Sequence, residues 1–72
     1  MSDIPRDLDE AERLFRERLA INKEIGDRQG EASSLNSLGN IARTRGDLDE
    51  AERLHRDHMA ILKEIYDWKL PN

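Results

Sequence analysis

Glu52-Arg53-Leu54-His55, followed by His58, places one carboxylate and two imidazoles at helical spacing. Glu-x-x-His is how a helix offers ligands to a di-iron centre, which needs the motif from two helices and further inward carboxylates. The stretch just before, Asp47 to Leu54, recurs letter for letter at Asp7 to Leu14, yet Phe15 stands where a second His55 would be needed. A position that accepts Phe in one copy and His in the other fills a packing slot. The expectation is therefore a partly buried His55 and a His58 on the rim, with adventitious weak metal binding as the alternative and no resident metal or cofactor.

Nucleophilic and phosphate chemistry find no better footing. The chain has no cysteine and no glycine-rich phosphate loop, and "SSLNSLG" lacks the strand-to-helix context that exposes a strained catalytic serine. Ser33, Ser34 and Ser37 read as residues of a helix start and its polar face. Asp49 and Glu50 are sequence neighbours that point to different sides of a helix, suited to its N-terminal dipole rather than to acid-base work. The chain is not expected to be an enzyme. Sixteen acids against twelve bases give a net charge of -4, which argues against a nucleic-acid backbone or an anionic membrane as partner. No apolar run approaches a signal sequence or the roughly 18 residues of a membrane span, so a soluble cytoplasmic protein is expected.

The elements that would carry these residues read as three helices and no strand. In the first, about residues 5–26, apolar residues fall at Leu8, Ala11, Leu14, Phe15, Leu19 and Ile25, mostly in steps of three and four with one skip before Ile25. Asp9 with Arg13 and Glu12 with Arg16 add acid-before-base pairs one turn apart. Gly26 to Gly30 carries two glycines and no apolar residue, which predicts a turn; two interior glycines at about 1 kcal/mol each oppose a continuous rod. Ala32, Leu35, Leu38, Ile41 and Ala42 mark the second helix, about 30–45. Gly46 ends it, and Asp47 with Glu50 opens the third, about 47–68, as a capping-box-like start. Leu48, Ala51, Leu54, Met59, Leu62 and Ile65 give that helix its stripe.

Shifting the sequence by forty residues also lays "AINKEIGD" (Ala20 to Asp27) over "AILKEIYD" (Ala60 to Asp67). Two helices per period indicate a helical repeat array, with an unrelated three-helix bundle as the other option. "LNSLGNIARTRGDLDEAERLHRDHMAI" resembles a tetratricopeptide repeat. Leu35, Leu38, Gly39 and Ala42 fall at the spacing of that family's first-helix signature, and Gly46, Ala51, His55 and Met59 at that of its second. The long period, "LGN" and the Gly-Asp between repeats are similar to Partner-of-Inscuteable-type adaptors. The resemblance implies an all-α, right-handed solenoid fragment of about one and a half repeats, in one domain spanning 1–72, whose work is to hold another protein or peptide. It also implies that Ser33, Asn36, Asn40 and Arg43, on the polar side of the second helix, contact that partner, expected to be an extended or helical acidic peptide.

The other possible role is a self-assembling unit. The first helix matches the second helix of a repeat, so part of its stripe lacks a cover, and Tyr66, Trp68 and Leu70 replace Gly26, Arg28 and Gly30 of the first copy. A homodimer through Leu14, Phe15, Leu19, Tyr66 and Trp68 is expected. Closed two-fold pairing is its simplest form and a head-to-tail chain the runner-up; the other outcome is a monomer in which Tyr66 and Trp68 fold back over the bundle as a cap.

Overall fold

Two Gly-Asp turns, twenty residues apart, divide the chain. The computed structural model describes the backbone of residues 4–69 and the side chains of 7–67. It contains α1 (Ile4–Ile25), α2 (Arg28–Arg45) and α3 (Leu48–Lys69). Gly26 and Gly46 adopt φ of +76° and +84°, a left-handed conformation that costs an L side chain about 1–2 kcal/mol. In the first turn Gly26 N–H donates to Lys23 O at 3.3 Å and Asp27 N–H to Asn22 O at 2.8 Å. In the second, Gly46 N–H donates to Arg43 O at 3.0 Å and Asp47 N–H to Ala42 O at 2.9 Å. Both are Schellman closures, which satisfy carbonyls that a helix end leaves without partners.

Each aspartate then caps the helix it introduces. Asp27 Oδ1 accepts from Gly30 N–H at 2.9 Å, and Asp47 Oδ1 accepts from Glu50 N–H at a longer 3.4 Å. Arg28, Gln29 and Gly30 are therefore the first turn of α2, where the sequence suggests a loop. The capping box is half formed, because Asp47 N–H is already taken by Ala42 O and Glu50 directs its carboxylate to Arg53 at 2.6 Å.

The middle helix carries the core. Ala32, Leu35, Leu38, Ile41 and Ala42 of α2 are buried with Ala51, Leu54 and Ile61 of α3, while Phe15, Leu19, Leu62 and Ile65 pack against that cluster half-buried. Each large side chain fully buried contributes about 1.5–3 kcal/mol. The contacts run antiparallel on both flanks: Arg45 meets Asp9 while Ser34 meets Asn22 across α1–α2, and Arg28 meets Glu64 while Leu54 packs near Gly39 across α2–α3. Hence α1 and α3 run parallel on either side of α2. The radius of gyration, 13.8 Å, exceeds the about 11 Å of a compact domain this long, and the excess shows as open helix faces.

Several stripe positions differ from the sequence expectation. Leu14, Ile25, Leu48 and Met59 are exposed by 52%, 68%, 65% and 49%, because each outer helix carries two apolar rows and α2 covers one of them. Asp9 pairs with Arg45 of α2 rather than with Arg13, which lies 3.6 Å from both Glu10 and Glu17.

The buried position on α1, among the described side chains, is polar. Asn22 lies beside Ser34 Oγ at 2.9 Å. With its amide nitrogen turned toward the surrounding acceptors, its two N–H groups are shared among Arg18 O at 2.9 Å, Gly30 O at 3.1 Å and Ser34 Oγ at 2.9 Å. These bonds fix the register of α1 on α2, since a buried amide that loses its partners costs about 1–3 kcal/mol.

Candidate protein-interaction surfaces

Ser33, Asn36, Asn40 and Arg43 follow one another along α2 in steps of three and four, and all four are exposed. The rest of that helix dictates this. Its buried residues Ala32, Leu35, Leu38 and Ala42 claim the opposite side, which leaves a straight polar row facing away from the core. Ser34, next to Ser33, points inward to Asn22.

A second surface lies between α1 and α3, where they leave a furrow floored by α2. It contains a recess of about 270 Å³ near Leu38 and Arg45 and another of about 230 Å³ near Glu31 and Leu35. Charged side chains form a chain of contacts across the first. Arg45 reaches Glu12 at 3.2 Å, Glu12 reaches Arg16 at 2.9 Å, Arg16 reaches Glu50 at 3.7 Å and Glu50 reaches Arg53 at 2.6 Å. Arg53 and then Arg16 hold the Glu50 carboxyl below its usual range. Such half-exposed pairs contribute little singly, but this series ties all three helices together.

The Glu50 shift has a sign that can be tested. A carboxyl with a depressed folded pKa stabilises the fold above its unfolded value, and that contribution is lost as pH falls through the folded value. Wild-type protein should therefore lose melting temperature between about pH 5 and pH 3 more steeply than Glu50→Gln. Parallel acid limbs in a melting series would show that Glu50 carries no such linkage.

The histidines exchange the roles that the sequence suggests. His58 is half-buried, with Nδ1 2.7 Å from Ala32 O; a carbonyl only accepts, so Nδ1 carries the proton. His55 is exposed. Their rings are 6.3 Å apart at the centroids, and among the described residues no group of three His, Asp or Glu side chains is placed to hold a metal. Of the residues expected to self-associate, Leu14 and Tyr66 are exposed, whereas Phe15 and Leu19 are half-buried against the chain's own core. Trp68 lies outside the described side chains.

The two Gly-Asp turns, the small residues Gly39, Ala42 and Ala51, and most of each parallel outer helix fall inside one matched span. The tetratricopeptide repeat profile matches residues 6–64. The chain belongs to the tetratricopeptide repeat family. No curated protein and no solved structure matches it. Repeats of this family mediate protein–protein interaction and are not catalytic units. Its signature positions divide here into three groups: Leu35, Leu38, Gly39, Ala42 and Ala51 are buried, Gly46 closes the turn after α2, and His55 and Met59 stand on the open side of α3. Among the described residues no helix is long and apolar enough to cross a membrane.

Sequence reasoning missed Asn22, Ile61 and Arg16. The forty-residue shift offered a signal for two of them, since Asn22 aligns with the apolar Leu62 and Ile61 with Ile21. For Arg16, which reaches across the furrow, the sequence offers only the pair with Glu12.

Proposed function

We propose that this tetratricopeptide repeat unit binds an extended or helical peptide bearing acidic groups along the outer face of α2. The observation that carries the reading is the exposed row Ser33, Asn36, Asn40 and Arg43 on a helix whose other side is committed to the core. Asparagine amides both donate and accept, so Asn36 and Asn40 suit a peptide backbone whatever its sequence. Arg43, one turn beyond, supplies a forked donor for a carboxylate. The forty-residue period supports placing the unit with the long-period, Partner-of-Inscuteable-type members of the family. One such helix offers a short contact, and affinity in arrays accumulates over repeats.

A panel of acidic peptides titrated into the protein tests this. Asn36→Ala with Asn40→Ala should weaken a bound peptide by about tenfold, equivalent to about 1.4 kcal/mol, without lowering the melting temperature, because both side chains are exposed. Unchanged affinity would remove the row from the site.

A second reading is favoured by a different observation. Leu14, Ile21, Ile25, Leu48, Met59 and Tyr66 are each about half exposed or more, a large apolar surface for so small a chain. We propose that the unit also self-associates, with a homodimer as its smallest assembly. Sedimentation equilibrium tests it: a mass that stays at 8.4 kDa up to millimolar concentration would exclude it.

A further inference from the structure

The exposed apolar residues form two rows at opposite ends of the repeat. At 100° per residue Leu14, Ile21 and Ile25 fall within about 40° of one another on α1, and Leu48, His55, Met59 and Tyr66 do the same on α3. The internal repeat shows what such rows do. Shifted by forty residues, the α1 row lies over Leu54, Ile61 and Ile65, which belong to or pack against the core, and the α3 row begins over Leu8, Phe15 and Leu19, of which Phe15 and Leu19 pack against the core from the other flank and Leu8 is half-buried. Each open row is thus a second copy of a helix-packing row, and among the described residues no helix covers it.

The charges beside the rows select an arrangement. On the side of the α1 row turned away from α2 stand Arg13, Glu17 and Glu24; on the matching side of the α3 row stand Glu52, Arg56 and Lys63. When α3 of one copy lies parallel to α1 of the next, these flanks meet, as e and g positions do in a parallel coiled coil. One register then pairs Arg13 with Glu52, Glu17 with Arg56 and Glu24 with Lys63, because all three differ by thirty-nine in residue number. The same register sets Ile21 near Met59 and Ile25 near Tyr66, and leaves Glu10 opposite Asp49 as its one like-charged pair. An antiparallel two-fold contact of α1 with α1 that keeps these flanks on one side offers Glu10, Glu17 and Glu24 a single base per copy, Arg13, against three opposite-charge pairs in the parallel register.

We infer that copies of this chain join head to tail, the α3 row of one packing in parallel on the α1 row of the next. The contact is heterologous and so leaves a free row at each end of any assembly. This differs from the two-fold pairing that the sequence suggests, and it rests on the self-association reading above.

Sedimentation equilibrium on the wild type and two variants, with helicity checked by circular dichroism, tests it. The wild-type mass should rise beyond that of a dimer as concentration increases. Ile21→Glu and Met59→Glu, both at exposed positions that leave the core intact, should each be monomeric alone and form a one-to-one dimer when mixed, because each retains the row that the other lacks. Glu17→Lys should weaken association severalfold, and Arg56→Glu in the same chain should restore it by reversing the pair. A wild-type mass that plateaus at the dimer, or a Met59→Glu chain that dimerises alone, overturns the head-to-tail arrangement and leaves self-association standing. A wild type that stays monomeric overturns both and assigns the rows to helices of another protein.

Discussion

Leu38→Ala should leave the chain largely unfolded at room temperature. Leu38 is 2% exposed and belongs to the cluster that joins α2 to α3. Removing a buried leucine side chain costs about 2–5 kcal/mol, for lost transfer energy and for the cavity left behind. A single core in a domain of this size supplies only about 3–5 kcal/mol in all. The loss therefore approaches the whole stability, and a urea titration followed by helix signal should show the folded baseline shortened or gone. Ile25→Ala is the contrast. Ile25 is 68% exposed, so its truncation should change monomer stability by no more than about 0.5 kcal/mol. Equal losses for the two variants would mean that the core has been assigned to the wrong face of the molecule.

That contrast marks where the sequence was legible and where it was not. Gly26 and Gly46, each followed by Asp, announce a turn and a cap with their own residue types, so the three helices could be read directly. The α2 core could too, because its helix is polar on one side and apolar on the other. The outer helices were ambiguous for a physical reason: a repeat helix that packs between two neighbours carries two apolar rows, and periodicity reports both without saying which is covered. Leu14 and Leu54 occupy the same place in the duplicated octet, yet Leu54 is 3% exposed and Leu14 52%. The difference lies in having α2 on that flank, which no local pattern encodes. His55 and His58 were interchanged for the same reason, since the slot filled by Phe15 against α2 in the first copy faces outward in the second. Along the polar side of α2 the four residues of the proposed peptide row were legible because a central helix leaves one side free.

Gly30→Ala and Gly39→Ala should move stability in opposite directions. Both glycines lie inside α2, where alanine is intrinsically favoured by about 1 kcal/mol, so helix propensity alone predicts two stabilised proteins. At Gly39, the family's small-residue position, an added Cβ would sit 3.7 Å from Leu54 Cβ and 3.9 Å from Ala51 O. These are ordinary contacts, so the close approach of α2 and α3 still admits a methyl group and the propensity gain should survive. At Gly30 an added Cβ would overlap Asp27 Oδ2 and come within 2.6 Å of the Asn22 amide. Both groups end flexible side chains, but neither is free to leave: Asp27 caps α2 through Gly30 N–H, and the Asn22 amide is buried against Ser34. Moving the first weakens a cap worth about 0.5–2 kcal/mol, and moving the second leaves buried polar groups unpaired at about 1–3 kcal/mol. The expected net result is a loss of about 1–3 kcal/mol for Gly30→Ala against a gain of up to about 1 kcal/mol for Gly39→Ala, read from chemical denaturation midpoints. A stabilised Gly30→Ala would show that the Asp27 cap and the Asn22 bonds yield without cost, and that α1 is not registered on α2 by them.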